Sequence, residues 1–362
     1  MFQDFLVVQL TLRLKCSVNA ETSPVTSNPM PTYELFAPLS NTRGTFQWLQ
    51  LGEPFRIQRW PKTKVIKLWR LLASLPKFEI EVQAESSQGV HREKRFAHVA
   101  VATVNLAMDE SEEQWRNAHA EFDRHTDLLQ QQLRLASLFL GGHVEAVVAY
   151  WYSVDASKPQ MESGVGIGVA QAERPATVSK YNYVAANEFL RATTFPLKPE
   201  YVQLAFEHWE ESHRATRKDF ELLSLVMALE ALFNVGAQDI RYRVARSVAV
   251  LLGEDPELSD HIFEAIGRAY EVRSKLVHTG KAKGLEKVWL WQLDRLVQEA
   301  ILRCLALKQP KDQLSQQLTR IGFGCGAQVT ANPAIEGTAK GLRPSCASHV
   351  KRWASPTNRD TN

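Results

Sequence analysis

Cysteine is scarce: the 362 residues hold four, Cys16, Cys304, Cys325 and Cys346. None belongs to a Cys-x-x-Cys pair and no histidine stands at ligand spacing from any of them, which argues against a zinc site. Thiols so few and so scattered point to a reducing compartment. Long apolar runs are missing too. No stretch approaches the roughly 18 apolar residues that cross a bilayer. The partly apolar segment from Phe2 to Leu14 carries Asp4 where a secretory signal begins with positive charge, and Arg13 and Lys15 cut it short. The expectation is a soluble, cytoplasmic chain with no membrane partner. A large excess of one charge is also absent, the formal net charge being +3. Residues 308–362 hold eight Lys/Arg against three Asp/Glu, a balance of +5, so the rest of the chain nets −2. The basic character belongs to the tail, and DNA binding is not inferred from it.

What is present suffices for a sizeable core. Hydrophobic residues make up 44% and charged residues 23%, proportions of a folded chain long enough for two domains and a tail. Through residue 110, short apolar stretches alternate with Pro and Gly: Phe5–Leu14, Phe55–Trp60, Phe78–Val82 and His98–Leu106. This pattern predicts short strands. Ser111-Glu112-Glu113-Gln114 has the form of a helix cap, and Trp115, Ala118, Phe122, His125, Leu129, Leu133, Ala136 and Phe139 then recur at helical spacing up to Gly141-Gly142. Val144–Val154 reads as a strand. Gly164-Val-Gly-Ile-Gly168 lacks the Lys-Ser/Thr of a phosphate loop and reads as a glycine-rich strand or turn.

From Pro196 the pattern turns helical. Five segments follow: Tyr201 to about Thr216, Phe220–Phe233, Ile240–Leu252, the stretch from Asp255-Pro256 to about His278, and Leu285–Leu307. Glycines or the Asp-Pro start punctuate them, so an antiparallel bundle is expected. The expected fold is α+β: a β-rich region over 1–190 with a long helix at about 111–140, then a helical bundle over 197–307. Residues 308–362 are expected to be mostly disordered beyond an amphipathic stub, Leu314–Ile321.

The chemistry sits at the end of the fourth bundle segment, in Arg273-Ser274-Lys275-Leu276-Val277-His278. Arg273 and His278 are five residues apart, about 140° around a helix and about 7.5 Å along it. One helix does not stack them on one face, so a working site would need two copies meeting about a two-fold axis. Cleavage of RNA by its neighbouring 2′-OH needs a base for that hydroxyl and an acid for the leaving 5′-oxygen, steps an imidazole can serve near neutral pH. A guanidinium can bond two oxygens of the charged phosphate in the transition state. His278 is assigned to proton transfer, Arg273 to phosphate stabilisation and Ser274 to orienting the 2′-OH or phosphate. Lys275, Lys281 and Lys283 are candidate RNA contacts. No metal or other cofactor is called for.

Ala228-Leu-Glu-Ala-Leu-Phe233, Arg241-Tyr-Arg-Val-Ala-Arg-Ser-Val-Ala-Val-Leu-Leu-Gly253 and Tyr270-Glu-Val-Arg-Ser-Lys-Leu-Val-His-Thr-Gly280 together resemble the HEPN superfamily, in particular its ApeA-like group. The resemblance covers about residues 215–305. It implies a helical bundle that dimerises. It also implies a metal-independent endoribonuclease of bacterial defence, abortive-infection or toxin systems, with Arg273 and His278 as the Arg-x4-His motif. Many active members carry Asn, Asp or His where this chain has Ser274. The β-rich region would then sense a trigger such as a phage product.

The plainer readings are structural. Arg273 pairs with an acid such as Glu230, His278 caps its helix, Glu230 pairs with Arg243 or Arg246, and Lys281 and Lys283 lie in a solvated loop. A non-catalytic HEPN module that dimerises or binds a nucleotide or partner is the rival function. A metabolic enzyme in the N-terminal region finds no nucleotide loop, nucleophile triad or metal cluster to support it.

Overall fold

The structure, a computed structural model, describes residues 30–74, 96–106, 111–154, 160–166, 175–236, 238–280, 285–326 and 329. The strands expected at Phe5–Leu14 and Phe78–Val82, and the tail from 330, lie outside these residues. The chain is mixed α+β and divides into two compact units, interleaved along the sequence: Met1–Ser40, Gln50–Gln130 and Glu145–Val169 in one, Asn41–Leu49, Gln131–Val144 and Ala170–Asn362 in the other. The shift in composition near residue 190 suggests a single sequential boundary instead.

The first unit is built on an antiparallel sheet of strands β1 (Thr32–Pro38), β3 (Arg56–Pro61), β4 (Phe96–Asn105), β5 (Val148–Ser153) and β6 (Gln160–Gly166), in the order β3-β4-β1-β5-β6. Side chains alternate across a strand, and the register shows which face each takes. Phe36 of the central strand packs with Trp60 and with Trp69 of helix α1 (Lys62–Ala73). Val65, Trp69 and Leu72 form the buried side of that helix, at spacings of four and three. On the opposite face Tyr33 and Trp151 meet Phe122 of helix α2 (Glu112–Leu140), and Trp151 Nε1 donates to Thr126 Oγ1 at 3.1 Å. The cap of α2 is the one its sequence announces: Gln114 N–H donates to Ser111 Oγ at 3.2 Å.

The second unit contains β2 (Thr42–Gly44) paired in parallel with β7 (Ala176–Val178), the last turns of α2, and helices α3 (Tyr183–Ala192), α4 (Glu200–Arg214), α5 (Lys218–Phe233), α6 (Ile240–Leu252), α7 (Pro256–Thr279), α8 (Lys287–Leu307) and α9 (Lys311–Arg320). Helix α5 is apolar around almost its whole circumference, as its sequence KDFELLSLVMALEALF shows. Leu222, Leu225, Val226, Leu229 and Phe233 are buried, while Phe220 and Met227 on its other side stay exposed.

The chain stays packed past residue 308. Arg246 of α6 donates to the carbonyls of Leu318, Thr319 and Ile321, satisfying the otherwise unpaired end of α9. Gly324 N–H then donates to Ser259 Oγ and Gly326 N–H to Gly253 O. Gly324 has φ +79 and a Cβ there would lie 2.6 Å from Pro256 Cδ, so this return requires glycine. The disorder expected from residue 322 therefore gives way, over 322–326, to a segment seated on the α6–α7 corner.

Candidate functional site

Asp255 opens α7 by accepting the Leu258 N–H at 2.7 Å, with Pro256 in the first turn. Gly280 closes it with φ +66, its N–H donating to Leu276 O at 2.8 Å. Leu276 of that last turn is buried. Ser274, Lys275 and His278 are all exposed. Ser274 and His278 are four residues apart, so they share one helical face. Lys275 also supplies the carbonyl that accepts the Thr279 hydroxyl at 2.7 Å.

Arg273 is half-buried and turned to a different side of α7. The Tyr270 hydroxyl one turn earlier is buried, and burial pushes its pKa far above the usual phenol range. The nearby Glu230 carboxylate adds to that rise and the Arg273 charge opposes it. Arg273, Tyr270 and Glu230 thus form one neighbourhood between α7 and the end of α5. The structure does not bring Arg273 and His278 of one chain onto a common face. Lys281 and Lys283 lie outside the described residues.

The partner expected for Glu230 needs correction. Arg243 Nη2 donates to Gly236 O at 2.6 Å, and Arg246 is taken by the end of α9. Arg243 bonds the loop that leads into its own helix, and Arg246 faces carbonyls with no other donor. Glu230 instead lies beside Tyr270, and its backbone carbonyl accepts from Lys311 Nζ at 3.4 Å.

Several apolar side chains on α5, α7 and α8 are exposed. Phe220 and Met227 of α5, Val277 of α7, and Val288 and Trp291 of α8 are each between 45% and 59% exposed. Lys218 Nζ donates to Leu285 O at 3.4 Å, which sets the starts of α5 and α8 side by side.

A second polar cluster escaped sequence reasoning. His213 Nε2 lies 2.7 Å from Asp294 Oδ1, and the two side chains are only 8% and 1% exposed. The Trp209 ring lies 4.3 Å from the imidazole, edge-on, and His143 lies 5.8 Å away. Arg134 Nε donates to the buried Glu210 carboxylate at 2.9 Å, its guanidinium lying over the Phe195 and Phe206 rings. Gln298 Nε2 donates to Leu138 O. These bonds tie the last turns of α2 to α4 and α8. Their partners are 76 to 160 residues apart, so no local spacing announces them. The cluster is internal, and its evident role is cohesion. Among the described residues no group of three or more His, Cys, Asp or Glu is placed to hold a metal ion, and no helix is long and apolar enough to cross a membrane.

No protein-family model, no curated protein and no solved structure matches this chain.

Proposed function

We propose that the chain is a metal-independent endoribonuclease of the HEPN kind, acting as a homodimer through its helical bundle. It would belong to a bacterial defence, abortive-infection or toxin system, with the sheet-containing unit as the sensor. The observation that carries this reading is the open end of α7. An imidazole and a hydroxyl, His278 and Ser274, stand on one exposed face, and Val277 between them is 58% exposed. Apolar area of this kind marks association surfaces, and a second copy is the occupant that also completes the chemistry.

In this mechanism His278 takes the proton of the 2′-OH, the 2′-oxygen attacks phosphorus, and the 5′-oxygen leaves with a proton returned to it by an imidazole. The bond formed is O2′–P and the bond broken is P–O5′, which yields a 2′,3′-cyclic phosphate and a free 5′-hydroxyl. Arg273 faces the phosphate oxygens, where a guanidinium gains most as charge accumulates. Because Arg273 and His278 of one chain diverge by about 140°, Arg273 of one copy serves the phosphate whose neighbouring 2′-OH gives its proton to His278 of the other. Lys275 holds a neighbouring phosphate, as Lys281 and Lys283 do.

The test is incubation of purified protein with RNA in EDTA. Cleavage by the wild-type chain, lost by at least a hundredfold in His278→Ala and in Arg273→Ala, is expected; the usual range for a positioned acid or base is about 10²–10⁴. Intact RNA with the wild type, or cleavage by both variants at the wild-type rate, ends the proposal.

One observation favours a second reading, a non-catalytic dimerisation or nucleotide-binding module. Arg273 keeps company with Tyr270 and Glu230, and Ser274 stands where active relatives of the resembled family carry a stronger polar group. That reading predicts a stable dimer whose partner binding survives His278→Ala, with no RNA cleavage.

A further inference from the structure

The outer face of α7 carries more than the end at His278. Phe263, Gly267, Glu271, Ser274 and His278 follow one another at steps of four, four, three and four residues, so they lie in one stripe. At 1.5 Å per residue the stripe runs about 22 Å. Its far end is aromatic. The Tyr242 ring meets Phe263 edge-on at 5.8 Å, and Phe263 meets Phe323 at 5.9 Å. Tyr242 is 56% exposed although it lies in a helix whose charged residues are all arginine, Arg241, Arg243 and Arg246.

The middle of the stripe is flat. Gly267 sits inside a 24-residue helix, where glycine weakens the element. A Cβ at that position would meet only the Arg241 side chain, at an ordinary 3.5 Å. Gly267 is buried, and the Arg241 side chain is what lies close over it. Arg241 lies across this spot and pairs with Glu271 at 2.6 Å, both side chains at least half exposed. Such a pair is weak in water and can exchange its carboxylate for a phosphate.

We propose that this stripe is a track for a single strand of RNA, with bases stacked on the Tyr242–Phe263–Phe323 platform and the backbone passing over Arg241 toward Ser274 and His278. In placing the reacting phosphate at His278, the proposal rests on the nuclease reading. Aromatic faces accept any base, and a duplex keeps its bases stacked inside, so the platform selects single strands. The exposed Glu264 flanks the aromatic end. The cations Arg241 and Lys275 lie beyond it, so charge directs bases to one end and phosphates to the other.

The experiment uses the full chain carrying His278→Ala, so that the RNA stays intact, and fluorescence anisotropy with a labelled 12-nucleotide RNA strand. The same RNA as a duplex and the matching DNA strand are measured at equal salt. The strand should bind more tightly than either. Adding Tyr242→Ala should weaken it about tenfold, the usual scale for one stacked base, while Tyr242→Trp retains it. Arg241→Ala should also weaken binding, and because its pair with Glu271 is open to water a loss there is not unfolding. Equal affinity for strand and duplex, or no change on Tyr242→Ala, overturns the track, even where wild-type cleavage depends on His278. Equal binding of the DNA strand overturns RNA as its ligand. Tyr242-dependent strand binding by a chain whose wild type cleaves nothing supports the track and ends the nuclease reading alone.

Discussion

In the sheet-containing unit both faces of the central strand are covered. Phe36 lies under Trp60 and Trp69, and Tyr33 under Phe122. In the helical unit the interior is equally dry, with Trp209, Leu225, Val248 and Ile301 fully buried. There, however, apolar residues continue outward past what the chain covers, from Phe220 and Met227 to Val277 and Trp291. A helix apolar on all sides is normally enclosed on all sides. The exposed residues on α5, α7 and α8 are where the proposed association would fall, while among the described residues the first unit exposes fewer than the second, Leu71 and Trp115 among them.

Substitutions can break that comparison at both ends. The largest effect is expected from Trp69→Ala, which empties a fully buried site in the first unit and should cost about 4 kcal/mol; urea unfolding followed by tryptophan fluorescence reads it. A loss below about 1 kcal/mol would mean that α1 contributes little to the sheet's cover. In the helical unit, Asp294→Ala removes the partner of a buried imidazole and should cost about 3 kcal/mol, by the same measurement.

A pH effect of comparable size belongs to the first unit. Burial, helped by the Arg59 charge directly across the β3–β4 ladder, pulls the His98 pKa down to about 4. The unfolded chain, near 6.5, then binds the proton more readily than the folded one. Stability is complete above pH 6.5, falls as pH drops from 6.5 to 4, and levels below, for a total near 3 kcal/mol. His98→Gln should flatten that slope; a slope of the same size in the variant removes His98 as its source. Smaller still, Asp255→Ala deletes the α7 cap bond to Leu258 N–H and should cost about 1 kcal/mol. Arg241→Ala should change stability by less than about 0.5 kcal/mol, because its pair with Glu271 is open to water. A larger loss would give Arg241 a structural role that competes with the RNA track.

Local chemistry made much of this fold legible. Ser111, the Asp255-Pro256 start and Gly280 mark helix ends with groups that bond the nearest turn, so a short window contains the whole signal. The strand at 56–61 and the helices at 112–140, 240–252 and 256–279 stand close to where pattern puts them. Helix α1 does not, because its lysines dilute a stripe of only three buried residues, Val65, Trp69 and Leu72, behind Pro61. Helix α3 is ten residues long and sits between turns. The interleaving of the units depends on pairs such as Thr42 with Ala176, and no local pattern encodes a pairing across that distance. The same holds for the site. His278 and Ser274 are readable as sharing a face from their spacing on one helix, whereas the Tyr270–Glu230 neighbourhood of Arg273 depends on how the last turn of α5 packs against α7. The buried His213–Asp294 pair follows from the packing of α4 on α8 and leaves no mark on either segment's periodicity.

The composite site is tested most directly by mixing subunits. Arg273→Ala and His278→Ala chains, each inactive alone, are denatured together, refolded and assayed on RNA in EDTA. Recovery of a substantial fraction of wild-type cleavage is expected, since one Arg273 and one His278 then meet across the mixed dimer. A mixture that forms dimers yet leaves the RNA intact would contradict the account.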